Sequence, residues 1–347
     1  MSKEFKINQN GINPKDVPLK LLNSGHKMPS IGIGTFGSDL YSAEQISDAV
    51  MYAAGFGQRS FDCASVYGNE KQIGEAFQSI LDGGVSRDEL FITSKVWNDM
   101  HGEGQVIDSC KQTLHDLQLD YLDLFLIHWP FPNYHPPGCT VDSRSPDSEP
   151  YIHSNYMIAW KQMETLVDEG LVKSIGTSNM TIPKMDLLLR DCRIMPAVNE
   201  MELHPHFQQE IFFNYLLERN IQPIGFCPIG SPKRPERDKT DSDTVDIEDP
   251  VVVKIANRLG VHPAVVCLKW AIQRGVVPIP FSVTPSKIES NLKCALSDHF
   301  IIAEDEMCEL SKIDKNCRLI KGQVFLWETA RGWEDLCFEF PRGQQGL

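Results

Sequence analysis

Residues 59–81 read RSFDCASVYGNEKQIGEAFQSIL. A short run around Phe61 (59–64) leads through a turn into a stretch, 69–81, that sets Ile73, Phe77 and Ile80–Leu81 at helical spacing. The same strand-then-helix unit recurs along the chain. Its strands are IGIGTF (31–36), RSFDCA (59–64), LFITSKV (90–96), LDLFLIHW (122–129), VKSIGTSN (172–179), PAVNEMEL (196–203), QPIGFCPI (222–229) and VVPIPF (276–281). Short apolar runs of this kind suit parallel strands buried on both faces. Helical periodicity also marks 42–54, after the N-cap candidate Ser42, and 154–169, 262–274 and 284–295. Eight alternating units predict an α/β protein, a closed (β/α)8 TIM barrel over about 30–315 within a single domain, 1–347.

Around that repeat lie four additions. LKLLNSGHKMPS (19–30) reads as a small hairpin. Two Pro- and Asp-rich insertions, 131–153 and 231–248, each follow a strand directly. In a barrel the loops after strands carry the site, so both fall on the catalytic face. The tail, 316–347, holds Phe325, Trp327, Trp333, Phe338 and Phe340. That aromatic content predicts packing on the body.

The 347 residues carry 47 acidic and 33 basic side chains, a net charge of −14. Such a surface argues against nucleic acid and against anionic lipid as partners. No apolar run reaches the length of a membrane span, and MSKEFKINQNGINPKD is too polar for a secretory signal. The expected compartment is the cytoplasm. The ten cysteines form no CxxC pair and read as buried free thiols in a reducing compartment. No metal-ligand spacing occurs, and His204-Pro205-His206 reads as structural.

Gly32-Ile-Gly34-Thr-Phe-Gly37 matches G-x-G-x-x-G, and Asp62 ends the next strand, as in a Rossmann-type dehydrogenase. Against that alternative, the first glycine lies within the strand. Ser42 also starts the helix too late for the glycines to form its N-terminus.

Polar residues stand at the strand ends: Asp62, Tyr67 just beyond it, Lys95 and His128. Alone, each has an ordinary structural use as a cap, a surface lysine or a core histidine. Together at one barrel mouth they make a proton-donating device. The ammonium is expected to lower the pKa of the Tyr, the Asp to hold the Lys, and the His to bond a substrate carbonyl.

These residues lie in segments that resemble the aldo-keto reductase superfamily, in its aldose reductase-like branch. The segments are Arg59-Ser-Phe-Asp62-Cys-Ala-Ser-Val-Tyr67-Gly-Asn69-Glu70, continuing to Gly74; Thr93-Ser-Lys95-Val-Trp97-Asn98; and Leu126-Ile-His128-Trp129-Pro130. Gly176-Thr-Ser178-Asn179, Asn199-Glu-Met-Glu202-Leu-His204-Pro205, Phe226-Cys-Pro228-Ile-Gly230-Ser231 and Pro280-Phe-Ser282-Val-Thr284-Pro-Ser-Lys287-Ile-Glu-Ser-Asn291 follow in order. The resemblance covers about 18–315.

It implies an NAD(P)H-dependent reductase of aldehydes or ketones, aldoses or sugar-derived compounds among them, that binds its cofactor without a Rossmann domain. Asp62, Tyr67, Lys95 and His128 would be the catalytic set, with Tyr67 the acid. Gly34, Thr35, Ser178, Asn179, Glu200, Phe226, Pro228, Ile229, Gly230, Ser231, Phe281, Ser282, Val283, Thr284, Lys287 and Asn291 would meet the cofactor, with loop 231–248 closing over its pyrophosphate. Phe36, Trp97, His128, Trp129, Phe325 and Trp327 would line the substrate pocket. Two positions depart from the family: Glu200 stands where Gln is usual, and Phe281 where Lys is usual beside the 2′-phosphate. Lys287 stands for Arg. NADP(H) is therefore the expected cofactor with NAD(H) also accepted, and no metal is expected. The partner is a small carbonyl compound, and the protein a monomer or weak homodimer. A cofactor-sensing regulatory subunit of the same fold is the alternative from another class.

Overall fold

The computed structural model describes residues 4–37, 39–131, 146–236 and 239–331. Strands β1 (Leu19–Leu21) and β2 (Lys27–Pro29) pair antiparallel as the expected hairpin. Eight parallel strands follow: β3 (Ile33–Gly34), β4 (Ser60–Asp62), β5 (Phe91–Val96), β6 (Leu122–Ile127), β7 (Val172–Ser178), β8 (Val198–Glu202), β9 (Gln222–Phe226) and β10 (Val277–Pro278). They pair in chain order, and the two ends also meet. Gly32 N–H donates to Pro278 O at 3.0 Å, and Gly34 N–H to Pro280 O at 3.1 Å. The sheet is therefore a closed barrel, as the spacing of the repeat predicts.

That seam explains the glycine motif. A Cβ on Gly32 would stand 2.9 Å from Ile279 Cγ2. The glycine admits the last strand rather than a phosphate. Helix α1 (Ala43–Phe56) begins only after Ser42, which forms a capping box with Gln45. The Rossmann alternative fails on both counts.

The remaining helices are α2 (Glu70–Asp82), α3 (Gln105–Leu117), α4 (His153–Asp168), α5 (Ile182–Asp191), α6 (Glu210–Glu218), α7 (Pro250–Leu259), α8 (Pro263–Arg274), α9 (Pro285–Lys293) and α10 (Glu304–Ser311). Side chains alternate across the sheet. Leu124 and Leu126 of β6 point into the barrel, with Val198, Ile224, Val277 and Ile279. Phe125 and Ile127 point outward into the helix layer with Phe77, Trp160 and Met163. Leu22 and Met28 join the inner set, so the hairpin region plugs one end. Each such buried side chain stabilises the fold by about 1.5–3 kcal/mol. Among the described residues all eight cysteines are free thiols, four of them buried. Cys139 and Cys337 lie outside the described residues.

Candidate active site

Parallel register carries the chosen polar residues to one mouth. Asp62 ends β4, Lys95 lies next to last in β5, and His128 directly follows β6. Tyr67 closes a 3-10 turn, Ser65–Tyr67, just beyond β4. Hydroxyls fasten these ends: Thr35 donates to Asp62 O at 2.8 Å and Ser65 to Lys95 O at 3.0 Å. Asn69 donates to Thr35 O at 2.9 Å.

Lys95 is fully buried. Its Nζ donates to the Asp62 carboxylate and to Cys63 O at 3.1 Å, and lies 3.5 Å from Glu200 Oε1. The same Nζ is 5.5 Å from the Tyr67 ring centroid. The Tyr67 ring lies 5.8 Å from His128 and 5.1 Å from Phe36. Trp97 stands 5.0 Å from His128 on the other side.

Burial works against the Lys95 charge, but Asp62 and Glu200 outweigh it and hold its pKa above the ordinary value. Burial and then Lys95 and His101 push His128 well below its ordinary value, so its ring is neutral at pH 7. Its Nδ1 is buried without a hydrogen-bond partner. Tyr67 corrects the sequence expectation. Lys95 does pull its pKa down, but desolvation of the half-buried Tyr67 ring is the larger effect, and the net shift is upward. Tyr67 therefore stands firmly protonated.

The expected cofactor residues ring the same mouth. Ser178 ends β7, and Asn179 follows it with φ 57°. Asn179 Nδ2 donates to His128 O at 3.0 Å and to Ser178 Oγ at 3.1 Å. Glu200 lies in register with Ser178. Beyond Phe226 at the end of β9, Pro228 and Ile229 lie between Cys227 (φ 50°) and Gly230 (φ 70°), with Ser231 (φ 33°) next. Of the eight non-glycine residues with left-handed φ among the described residues, three follow β7 and β9, in the turns at this mouth. Ser282 and Asn291 line a small pocket with Pro280 and Ile288. Phe281 and Val283 are half-buried, while Thr284, the N-cap of α9, and Lys287 in its first turn are exposed. Tyr41 packs against Phe281 with ring centroids 5.7 Å apart. Gly34 and Thr35 belong to the barrel seam, and the Thr35 side chain is buried.

Phe325 brings the tail to this mouth. Its ring lies 4.8 Å from Trp129, 5.8 Å from Trp97 and 5.8 Å from Phe131, with Trp327 half-buried alongside. Trp333, Phe338 and Phe340 lie outside the described residues, as do 132–145 of the first insertion.

A model of the Aldo/keto reductase family matches residues 30–314. The chain belongs to this family. It is an oxidoreductase acting on carbonyl groups. Aldo-keto reductase family 1 member A1 from Xenopus tropicalis is 40% identical over 307 residues, covering 88% of this chain and 91% of the relative. The Homo sapiens protein of that name is 38% identical over 302 residues, covering 86% and 90%. Among solved structures, a Bombyx mori aldo-keto reductase in complex with NADP superposes with a TM-score of 0.77 at 30% identity, covering 89% of this chain and 96% of that one. The aldose reductase of Schistosoma japonicum gives 0.78 at 34%, with the same coverage.

The reductase also buries charged groups beyond those of the expected site. His204 bonds Asp246 Oδ1 at 2.9 Å and Glu202 Oε1 at 3.1 Å. The Glu202 carboxylate further accepts Leu319 N–H at 2.6 Å and Ile320 N–H at 2.7 Å. His206 bonds Asp249 at 3.0 Å. This set ties the end of β8 to both the 231–248 loop and the tail. Gly230 packs so close to Asp246 that a Cβ there would stand 2.1 Å from its Oδ2. His204-Pro205-His206 is thus structural, as expected. Nothing in the spacing singles out Asp246 as its partner. Glu70 is a second buried acid. Burial raises it to about 7, while the hydroxyls of Ser94 and Thr113 donate to it at 2.6 and 3.1 Å.

Proposed function

We propose that this reductase uses NADP(H), and also accepts NAD(H), to reduce an aldehyde or ketone, aldoses and sugar-derived compounds included, with Tyr67 as the proton donor. The observation that carries the reading is the position of Tyr67, between the Lys95 ammonium and the neutral His128 ring at the mouth of the barrel. The chain works as one barrel domain.

The mouth suits a nicotinamide dinucleotide. Glu200 Oε2 and His128 Nδ1 are buried polar atoms without partners, and the left-handed turns at Asn179, Cys227 and Ser231 shape the loops that would hold it. Ser178, Asn179 and Glu200 would take the carboxamide, Phe226 the ring face, 228–231 the pyrophosphate, and Ser282, Thr284, Lys287 and Asn291 the adenosine end. When bound, the cofactor supplies the hydride. The Bombyx relative solved with NADP supports this cofactor, and the Schistosoma relative supports an aldose-like substrate.

Tyr67 meets the substrate protonated, because burial holds its pKa up. As negative charge develops on the carbonyl oxygen, Tyr67 gives that oxygen its proton. Lys95 stabilises the resulting phenolate, and Asp62 holds Lys95. Neutral His128 offers a hydrogen bond to the same oxygen. Trp97, Trp129, Phe36 and Phe325 form apolar walls that exclude water.

The test is a panel of aldoses, short aldehydes and ketones assayed with NADPH and with NADH by loss of absorbance. Turnover of at least one carbonyl class with both cofactors is expected. Tight cofactor binding with no turnover on any carbonyl would instead make the protein a cofactor sensor.

A further inference from the structure

We propose that Glu200 makes the nicotinamide site distinguish oxidised from reduced cofactor through its own charge, binding the oxidised form with its carboxyl ionised and releasing a proton as it does so. The proposal rests on the cofactor reading above.

Three observations carry it. Glu200 is buried on β8, 2% exposed, and lies in register with Ser178, next to Asn179. Its Oε1 is 3.5 Å from Lys95 Nζ, which already holds Asp62. Its Oε2 is buried and receives no donor. Two carboxyls therefore compete for one ammonium inside the barrel. With both ionised the cluster carries one net negative charge; with a proton on Glu200 it carries none. A Gln at this position fixes the neutral count at every pH.

The groups facing Glu200 support the neutral form. Asp62 from β4 and Lys95 from β5 are the charged neighbours, and Tyr67 and His128 at the mouth are uncharged. Neighbouring strands β7 and β9 set Ser178 and Ile224 beside it, neither of which titrates in this range. Glu202, on the same strand, is taken up by His204 and two backbone amides. Burial, then Asp62, drives the Glu200 pKa well above its ordinary value, against the pull of Lys95. Two buried carboxyls face one ammonium, and the Glu200 Oε2 that receives no donor is the place where the protein without cofactor keeps a proton. The oxidised nicotinamide ring carries one positive charge and the reduced ring none. A cationic ring beside Glu200 favours its carboxylate and lowers its pKa. Oxidised cofactor must then bind more tightly as pH rises, while reduced cofactor is indifferent.

The test titrates wild type, Glu200→Gln and Tyr67→Phe with NADP+ and NADPH separately, reading tryptophan fluorescence at pH 7, 8 and 9, where the 2′-phosphate is already ionised. In wild type the ratio of Kd for NADP+ to Kd for NADPH should fall at least tenfold, about 1.4 kcal/mol, between pH 7 and 9. In Glu200→Gln it should stay constant within about twofold. Tyr67→Phe should keep the wild-type fall. An unchanged fall in Glu200→Gln, or its loss in Tyr67→Phe, overturns the proposal and assigns the proton elsewhere. A second measurement needs no variant: mixing wild type with NADP+ in weak buffer at pH 7.5 should release protons, and mixing with NADPH none. Equal release with both overturns the proposal. Failure of wild type to bind either nucleotide overturns the cofactor reading itself, a result distinct from pH-independent binding of both.

Discussion

Strand β8 carries two buried glutamates, Glu200 and Glu202, two residues apart on one face. Burial pushes both carboxyls toward the protonated form, yet their pKa values move in opposite directions. Glu202 is met by His204 and by the amides of Leu319 and Ile320, and its pKa ends below the ordinary value. Glu200 shares a single ammonium with Asp62 and keeps one oxygen unpartnered. Depth in the barrel does not decide the protonation of an acid; the donors supplied to it do. The Glu202 cluster is nearly complete and holds segments together. The Glu200 cluster is incomplete and leaves room for chemistry.

Changes on the Glu200 side are therefore expected to alter rate or binding and spare stability. Changes on the Glu202 side should do the reverse. The largest effect is expected for Tyr67→Phe, with kcat falling about 10²–10⁴-fold, the usual worth of a positioned acid. Fluorescence titration should show cofactor affinity nearly unchanged. Retention of a third of the rate would remove Tyr67 from its role.

On the other side, burial alone would lower the His204 pKa, but Asp246 and Glu202 raise it to about 9. A raised histidine stabilises the fold fully below its unfolded value, about 6.5, and loses that contribution as pH climbs through about 9. Glu202 and Asp246 are depressed, so their contribution fades at the acid end. Melting curves between pH 6 and 10 should show wild type losing roughly 3 kcal/mol that His204→Gln lacks throughout. A parallel pH profile in the two proteins would place the stabilisation elsewhere.

Phe281→Lys sharpens the cofactor end. It should raise NADPH affinity about ten- to a hundredfold, one charged hydrogen bond, and leave NADH nearly alone. A wild-type kcat/KM already favouring NADPH by more than about a thousandfold would remove the basis for this prediction. The smallest effect joins the two sides. Leu319 and Ile320, anchored on Glu202, lead to Phe325 against Trp97 and Trp129. Phe325→Ala should raise KM about tenfold, ~1.4 kcal/mol, with little change in Kd for cofactor. An unchanged substrate profile would separate the tail from the pocket.

Much of this was legible in the sequence because a parallel barrel converts linear order into place. Asp62, Lys95 and His128 each end a strand, and strand ends share a mouth. Helices with an explicit start, such as α1 behind Ser42 and α8 behind His262-Pro263, were equally readable. Helix α3 starts after Gly104 and α6 after Gln209, both with positive φ and no capping side chain, so neither announces itself. The partners of Glu202 and His204 were invisible for another reason: Asp246 lies 42 positions from His204 and Leu319 lies 117 from Glu202, in segments without periodicity. The pKa of Tyr67 depends on how deeply its ring is buried, a quantity that spacing does not contain.

The seam between β3 and β10 governs how the chain can be assembled. Gly32 and Pro278 are 246 positions apart, and each of these strands is only two residues long. Bringing such distant points together costs roughly 5 kcal/mol of chain entropy in the length-dependent part alone. Those few hydrogen bonds cannot offset that cost until the intervening six strands have already curved the sheet. On a ribosome, strand β3 would then wait with an open edge until the last unit emerges, so closure comes late and separates an aggregation-exposed half-barrel from the finished enzyme.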